Sequence, residues 1–394
     1  MVIGDWLQPP RLRGAGQGVE RHATWLELFF DLVFVVAVAQ LAANLKADHG
    51  LAGFLRVLAL FVPVFWAWMG YTYYANRFDT DDIAFRLAML TGMLAISVFA
   101  VSIPQAAGTG SAFFALAYVA VRAVLIGLYV RAWRHVPEAA ELCRRFVLFF
   151  TTGTALWLAS VLVPTPFRYW LWVAGTAVEL AGPLGAGAII RRTPFDAGHI
   201  PERFGLFTLI VLGESVVLVA TGLAANDWKA ASVATAVACF VVVAMLWWLY
   251  FDFVPDAAIR RSVAAGQLYL YGHLPILIGL TSAGAGASLL IKAASSGHAG
   301  ASERWVYAGG LALYLVWISV IHLVTARSLR DTVLTGRLAV AAGALALAAA
   351  GGALAPPVFV GLLAGAGIVP GSEPGAEWAE SEAKLAAMLA VLSG

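Results

Sequence analysis

The sequence predicts an all-α, polytopic integral membrane protein of about 12 transmembrane helices, arranged as two parallel six-helix repeats. Three observations carry this. The 394 residues are 61% apolar and 12% charged, with a mean hydropathy of +0.84, whereas soluble domains are about half apolar and a quarter charged. Apolar runs approaching the roughly 20 residues that a bilayer crossing needs recur along the whole chain, between charged or Gly/Pro-rich breaks. Lys and Arg alternate loop by loop with a roughly threefold excess on one side, the pattern of cytoplasmic loops. The composition excludes an ordinary soluble enzyme and a disordered chain, and a net charge of +2 gives no argument for a nucleic-acid partner.

Residues 1–23 read as a polar cytoplasmic segment. Spans follow near 24–45, 51–75, 83–104, 110–132, 143–163 and 168–190, which make the first repeat, 24–190. The second repeat, 191–369, takes spans near 202–223, 229–253, 264–291, 303–325, 336–351 and 353–369. Its last two runs are short, rich in Ala and Gly, and split by Gly351-Gly352 and Pro356-Pro357. One span plus a re-entrant hairpin is the alternative there. In the tail, 370–394, Trp378, Leu385, Met388 and Leu392 share one helical stripe, as in an interfacial amphipathic helix, with a disordered tail the alternative. The cation bias places both termini in the cytoplasm.

The repeat rests on matched positions about 180 residues apart. Glu20-Arg21 opens the first span and Glu202-Arg203 the seventh; with one residue of slip, Asp31 aligns with Glu214. Trp66, Trp68 and Tyr71 correspond to Trp247, Trp248 and Tyr250, and Gly92-Met93 to Gly272-His273. An even number of spans between the copies gives them the same orientation, and such proteins place sites near the midplane where the repeats meet.

Ionisable groups in hydrocarbon cost about 2.5–3.5 kcal/mol on insertion scales, so they mark buried interactions or a polar cavity. Along the chain they come in this order. Glu27 and Asp31 lie four apart in the first span and share a face, with Asp31 the deeper. The second span carries Trp66, Trp68, Tyr71, Tyr73 and Tyr74, which read as an aromatic belt at the headgroups. Arg122 and Glu179 fall in the middle of the fourth and sixth spans. Glu214, followed by Ser215, falls about mid-span in the seventh. Tyr269 and His273 lie four apart in the ninth, where Pro275 bends the helix.

Two readings follow. These groups form buried ion pairs that lock helices, or they line a polar cavity in which an acid or His273 titrates. The second favours a secondary transporter or proton-coupled translocator. Asp31 and Glu214 are then the paired acids, His273 the proton acceptor and Arg122 with Glu179 a balancing pair, with Glu27, Tyr269 and Ser215 beside them. A membrane-embedded enzyme acting on a lipid-like substrate and a non-transporting scaffold or sensor are the alternatives. No phosphate loop, HExxH, GxSxG or paired-Cys metal pattern is present, so no metal site is assigned and the cofactor is left unknown. Cys143 and Cys239 fall on different spans and are not expected to pair. The partners implied are membrane lipids and an unidentified ion or small molecule, with a homo-oligomer left open.

Two stretches carry a resemblance. Glu27-Leu28-Phe29-Phe30-Asp31-Leu32-Val33-Phe34-Val35 and the run from Glu202-Arg203-Phe204-Gly205 to Leu212-Gly213-Glu214-Ser215-Val216 are similar to the two hallmark stretches of the bacterial low temperature requirement protein A family. The resemblance implies a multi-pass bacterial inner-membrane protein linked to growth in the cold. By position it carries over Glu27, Asp31, Glu202, Arg203, Glu214 and Ser215. It supplies no substrate.

Overall fold

A computed structural model of the protein describes residues 8–12, 23–79, 81–193, 198–253, 262–326 and 332–366. Among the described residues the chain is all-helical apart from one two-residue ladder. The helices are α1 (Trp25–Ala47), α2 (Leu51–Arg77), α3 (Ile83–Ser102), α4 (Ser111–His135), α5 (Ala140–Ser160), α6 (Phe167–Leu184), the short α7 (Gly187–Arg192), α8 (His199–Ala224), α9 (Ala230–Phe253), α10 (Val263–Ala294), α11 (Ala301–Ala326), α12 (Thr332–Ala350) and α13 (Pro356–Ala366). The ladder pairs β1 (Arg11–Leu12) antiparallel with β2 (Phe78–Asp79) and so ties the N-terminal segment to the end of α2. Gln8 O, which accepts from Arg131 Nη2 at 2.7 Å, fixes the same segment to α4.

Among the described residues nine helices, α1–α4 and α8–α12, are long and apolar enough to cross a membrane. The expected twelve differ from this for two reasons. α5 and α6 form, with 21 and 18 residues, but Glu141, Arg144 and Arg145 open α5, and α6 holds Arg168 and Glu179. α13 has 11 residues, roughly 16 Å of helix against a hydrocarbon core of about 30 Å. The expected sixth span also ends early, at Leu184 beside Pro183, and resumes as α7. The expected amphipathic tail, 370–394, and the Glu20-Arg21 pair lie outside the described residues.

A helix that crosses a membrane can carry two apolar faces with different neighbours. On α1, Phe30, Phe34 and Val38 are buried, whereas Trp25, Phe29 and Leu32 point outward. An outward apolar face is what lipid requires. α10 has no such face over much of its length: every residue from Ile276 to Ile291 is buried. It packs against α1, α2, α8, α9, α11 and α13. Glycines permit the closeness. A Cβ added at Gly286 would stand 2.6 Å from Tyr307 Cα, and one at Gly279 would stand 2.8 Å from Gly310 O. Small residues at such crossings let backbones meet where no hydrophobic effect drives helices together.

The aromatic belt expected in α2 is instead interior. Trp66, Trp68, Tyr71 and Tyr74 are all buried. In α9, Trp247 and Trp248 are exposed while Tyr250 is buried. Cys143 and Cys239 are both buried and free.

Candidate functional site

The site forms where α1 and α8 lie side by side. Thr24 caps α1: its Oγ1 accepts from Glu27 N at 3.3 Å, and Glu27 Oε2 accepts from Thr24 N at 2.8 Å. This reciprocal pair is a capping box. It fixes Glu27 on the first turn and places Asp31 one turn deeper on the same face. α8 presents His199 and Arg203, also four apart. Two i,i+4 pairs thus face each other in parallel register.

Arg203 bridges both acids. Its Nε donates to Asp31 Oδ2 at 3.1 Å and its Nη2 to Asp31 Oδ1 at 2.5 Å. Its Nη1 lies 3.3 Å from Glu27 Oε1. Trp68 Nε1 adds a bond to Asp31 Oδ1 at 2.8 Å. The four side chains are buried, so the pairing is bidentate, charge-assisted and shielded from water. His199 stands between two carboxylates. Its Nε2 is 3.5 Å from Glu27 Oε1 and its Nδ1 is 3.2 Å from Glu202 Oε2. Glu202 is one-third exposed and its Oε1 also accepts from Ala23 N at 3.2 Å. A line of exchangeable groups therefore runs from partly exposed Glu202 through the His199 imidazole to buried Glu27, Arg203 and Asp31. An imidazole with a carboxylate at each nitrogen can take a proton on one side and release it on the other.

Aromatic rings seal the inner side. Trp68 stacks on Phe207 with ring centroids 4.4 Å apart, and Phe204 meets Trp68 edge-on at 4.9 Å. Phe204 also meets His273 at 4.7 Å. One ring thereby separates the acid cluster from a second polar group. In that group Tyr250 OH and His273 Nε2 are 2.8 Å apart, and His273 Nδ1 lies 2.6 Å from Tyr269 O.

A third group lies in the first half. Arg122 Nη2 stands 2.6 Å from Glu179 Oε2, both side chains fully buried. Tyr118 OH donates to Glu179 Oε2 at 2.8 Å, and the Arg122 guanidinium sits 4.4 Å from the Phe150 ring centroid. Gly153 makes the room, since a Cβ there would come within 2.4 Å of Glu179 Cγ.

The structure does not bring Glu214 to Asp31. α1 and α8 keep one register, with Asp31 beside Arg203 and Phe34 beside Phe207. α8 begins at His199, so Glu214 stands roughly 22 Å along it, level with the far part of α1. There it is half-buried and feels Lys46, in the last turn of α1. The expected pairing of these two acids is corrected accordingly. Ser215 serves packing: its Oγ donates to Val211 O at 3.1 Å, and a Cβ on Gly284 of α10 would meet that Oγ at 2.7 Å.

Sequence reasoning missed the partners more than the acids. Arg203 sits at the opening of the expected seventh span, 202–223, with no partner assigned to it, and His199 lies ahead of that span. The available signal was their own i,i+4 spacing, which matches that of Glu27 and Asp31. Among the described residues, no three of His, Cys, Asp and Glu are grouped to hold a metal ion.

Comparison with known proteins adds the following. A family model described as bacterial low temperature requirement A protein matches residues 22–369. A second model, described as a chorismate binding enzyme, matches residues 352–393, which include none of the site residues. A protein of Rhizobium meliloti (strain 1021), described as uncharacterized, is 29% identical, covering 67% of this chain and 72% of its own.

Proposed function

The chain belongs to the bacterial low temperature requirement A family, and from that premise we propose that it is a proton-coupled secondary transporter of the bacterial inner membrane. The observation that carries this reading is the α1–α8 cluster. Among the described residues, three carboxylates (Glu27, Asp31 and Glu202) face one guanidinium and one imidazole. Such a set offers a continuous series of proton donors and acceptors, and its outer member reaches solvent. Intramembrane acids of this kind line proton paths in pumps and transporters.

On the same reading α5 and α6 also cross, both termini are cytoplasmic, and the chain is two repeats. The neighbour pattern supports a repeat. α1 packs on α2 and α3, α3 on α4, and α4 on α5; α8 packs on α9 and α10, α10 on α11, and α11 on α12. Tyr71 of α2 closes on Gly92 of α3, as Tyr250 of α9 closes on His273 of α10. The halves meet through α1 and α2 against α8 and α10. The parallel run of α1 and α8 is met with either four or six crossings before α8.

The test is proton uptake into vesicles that contain the purified chain and a pH-sensitive dye, driven by an imposed potential. Wild-type uptake is expected above that of protein-free vesicles. Glu27→Gln and Asp31→Asn are expected to fall to the protein-free level while still eluting as folded protein. Undiminished uptake in both variants overturns the assignment. No uptake by the wild type favours the scaffold or sensor reading.

A further inference from the structure

Arg77 closes the last turn of α2 and is 2% exposed. Among the described residues its side chain has no ion pair and no hydrogen bond, and its Nε is enclosed without a partner. Among the described residues, the ionisable groups around it are the phenols of Tyr129 and Tyr73 and the Cys143 thiol, with no carboxylate among them. Two other deeply buried arginines each have a counter-charge: Arg122 has Glu179 and Arg203 has Asp31.

The imbalance is large. A helix C-terminus favours a cation only modestly. An uncompensated buried ion costs much more than that. Nearby charges do not close the gap: Arg131 and Asp82, which flank Tyr74, are paired with each other at 2.6 Å. A further donor is idle against Tyr129, the ring that neighbours both Arg77 and Tyr74. The Tyr74 hydroxyl, one turn back on the same face, is enclosed and unpartnered. Its ring meets that of Tyr129, on α4, edge-on at 5.2 Å. A permanent positive charge with a forked array of donors, flanked by phenol donors, is the donor set that carboxylate and phosphate oxygens fit.

We propose that Arg77, with Tyr74 and Tyr129, binds an oxyanion, a carboxylate or a phosphate, where the ends of α2 and α4 meet α5. The anion supplies the missing charge and accepts from the guanidinium and the hydroxyls. That this anion is the transported solute rests on the transport reading above; its binding does not.

The test uses the full chain at equilibrium, with no gradient, so that it stands or falls separately from proton uptake. In detergent at constant ionic strength, the melting temperature is followed as inorganic phosphate replaces chloride. Wild type is expected to rise saturably, Arg77→Gln to stay flat, and Tyr74→Phe to need more phosphate for the same rise. In a second arm, lipid discs of phosphatidylglycerol are compared with phosphatidylcholine. A wild-type rise there that Arg77→Gln abolishes assigns the oxyanion to a lipid headgroup. Equal responses of wild type and Arg77→Gln in both arms, or no wild-type response in either, overturn the proposal. Should Arg77→Gln not fold, a Tyr74→Phe titration that matches wild type overturns it.

Discussion

Arg203 of α8 grips Asp31 of α1 by two guanidinium bonds that join residues 172 apart in the chain. The same guanidinium reaches Glu27, so one side chain sets the register of the two helices at the junction of the halves. Lysine keeps the charge but lacks the planar fork. Arg203→Lys is expected to cost about 1.5–3 kcal/mol, one charged hydrogen bond, read from the denaturation midpoint of the purified protein. A midpoint equal to wild type would show that the fork is not used.

Trp68 isolates a single bond in the same cluster. Trp68→Phe keeps an aromatic ring against Phe207 but removes the indole N–H that reaches Asp31. The expected loss is about 1.5–3 kcal/mol. Asp31→Asn combined with Trp68→Phe is expected to show strong coupling in a double-mutant cycle, and strictly additive losses would place the two groups out of contact.

Arg122 and Glu179 make a closed pair. Arg122→Met or Glu179→Leu alone strands one buried charge, at about 3–5 kcal/mol. The double variant removes both charges and is expected to recover most of that loss in thermal melting. A double variant no better than the worse single one contradicts the pairing.

Packing around α10 gives a test with an internal control. Gly286→Leu drives a side chain into the Tyr307 backbone, whereas a Cβ at Gly309 meets nothing within 4 Å. Overpacking costs about 1–3 kcal/mol or more. Gly286→Leu is expected to lose the monodisperse chromatographic peak, and Gly309→Leu to keep it.

Outside the membrane, Asp81 bonds Arg86 at 2.8 Å through each carboxylate oxygen. The guanidinium hydrogen bond holds the Asp81 carboxyl below its ordinary value. A lowered value contributes stability above the ordinary carboxylate range and loses it as pH falls through the lowered one. The pair is exposed, so its contribution is small. Melting curves of wild type and Asp81→Asn are expected to differ slightly near neutrality and to coincide in strong acid.

Most of the helices were legible because an apolar run between charged or Gly/Pro breaks has few alternatives in a membrane. Asp31, Glu179, Arg122 and His273 were legible as buried groups for the same reason: their cost in lipid is high. Their partners were not all legible. Arg122 and Glu179 meet as isolated opposite charges must. Asp31 and Glu214 do not, because matched positions in two repeats say which residues correspond, not which touch. Arg77 falls just past the expected second span, 51–75, and Arg203 at the edge of the expected seventh, 202–223, because hydropathy cannot tell the end turns of a buried helix from the adjoining loops. Trp68 looked like an interfacial anchor, because an indole ring suits both the headgroup layer and a carboxylate in the interior.

The glycine contacts of α10 have a mechanical consequence. With Gly279 against Gly310 and Gly286 against Tyr307, two main chains are in touch and no flexible side chain lies between them to absorb a shift. α10 and α11 must therefore travel as one lever, and any rocking of the molecule has its pivot elsewhere, at seams where long side chains can slide.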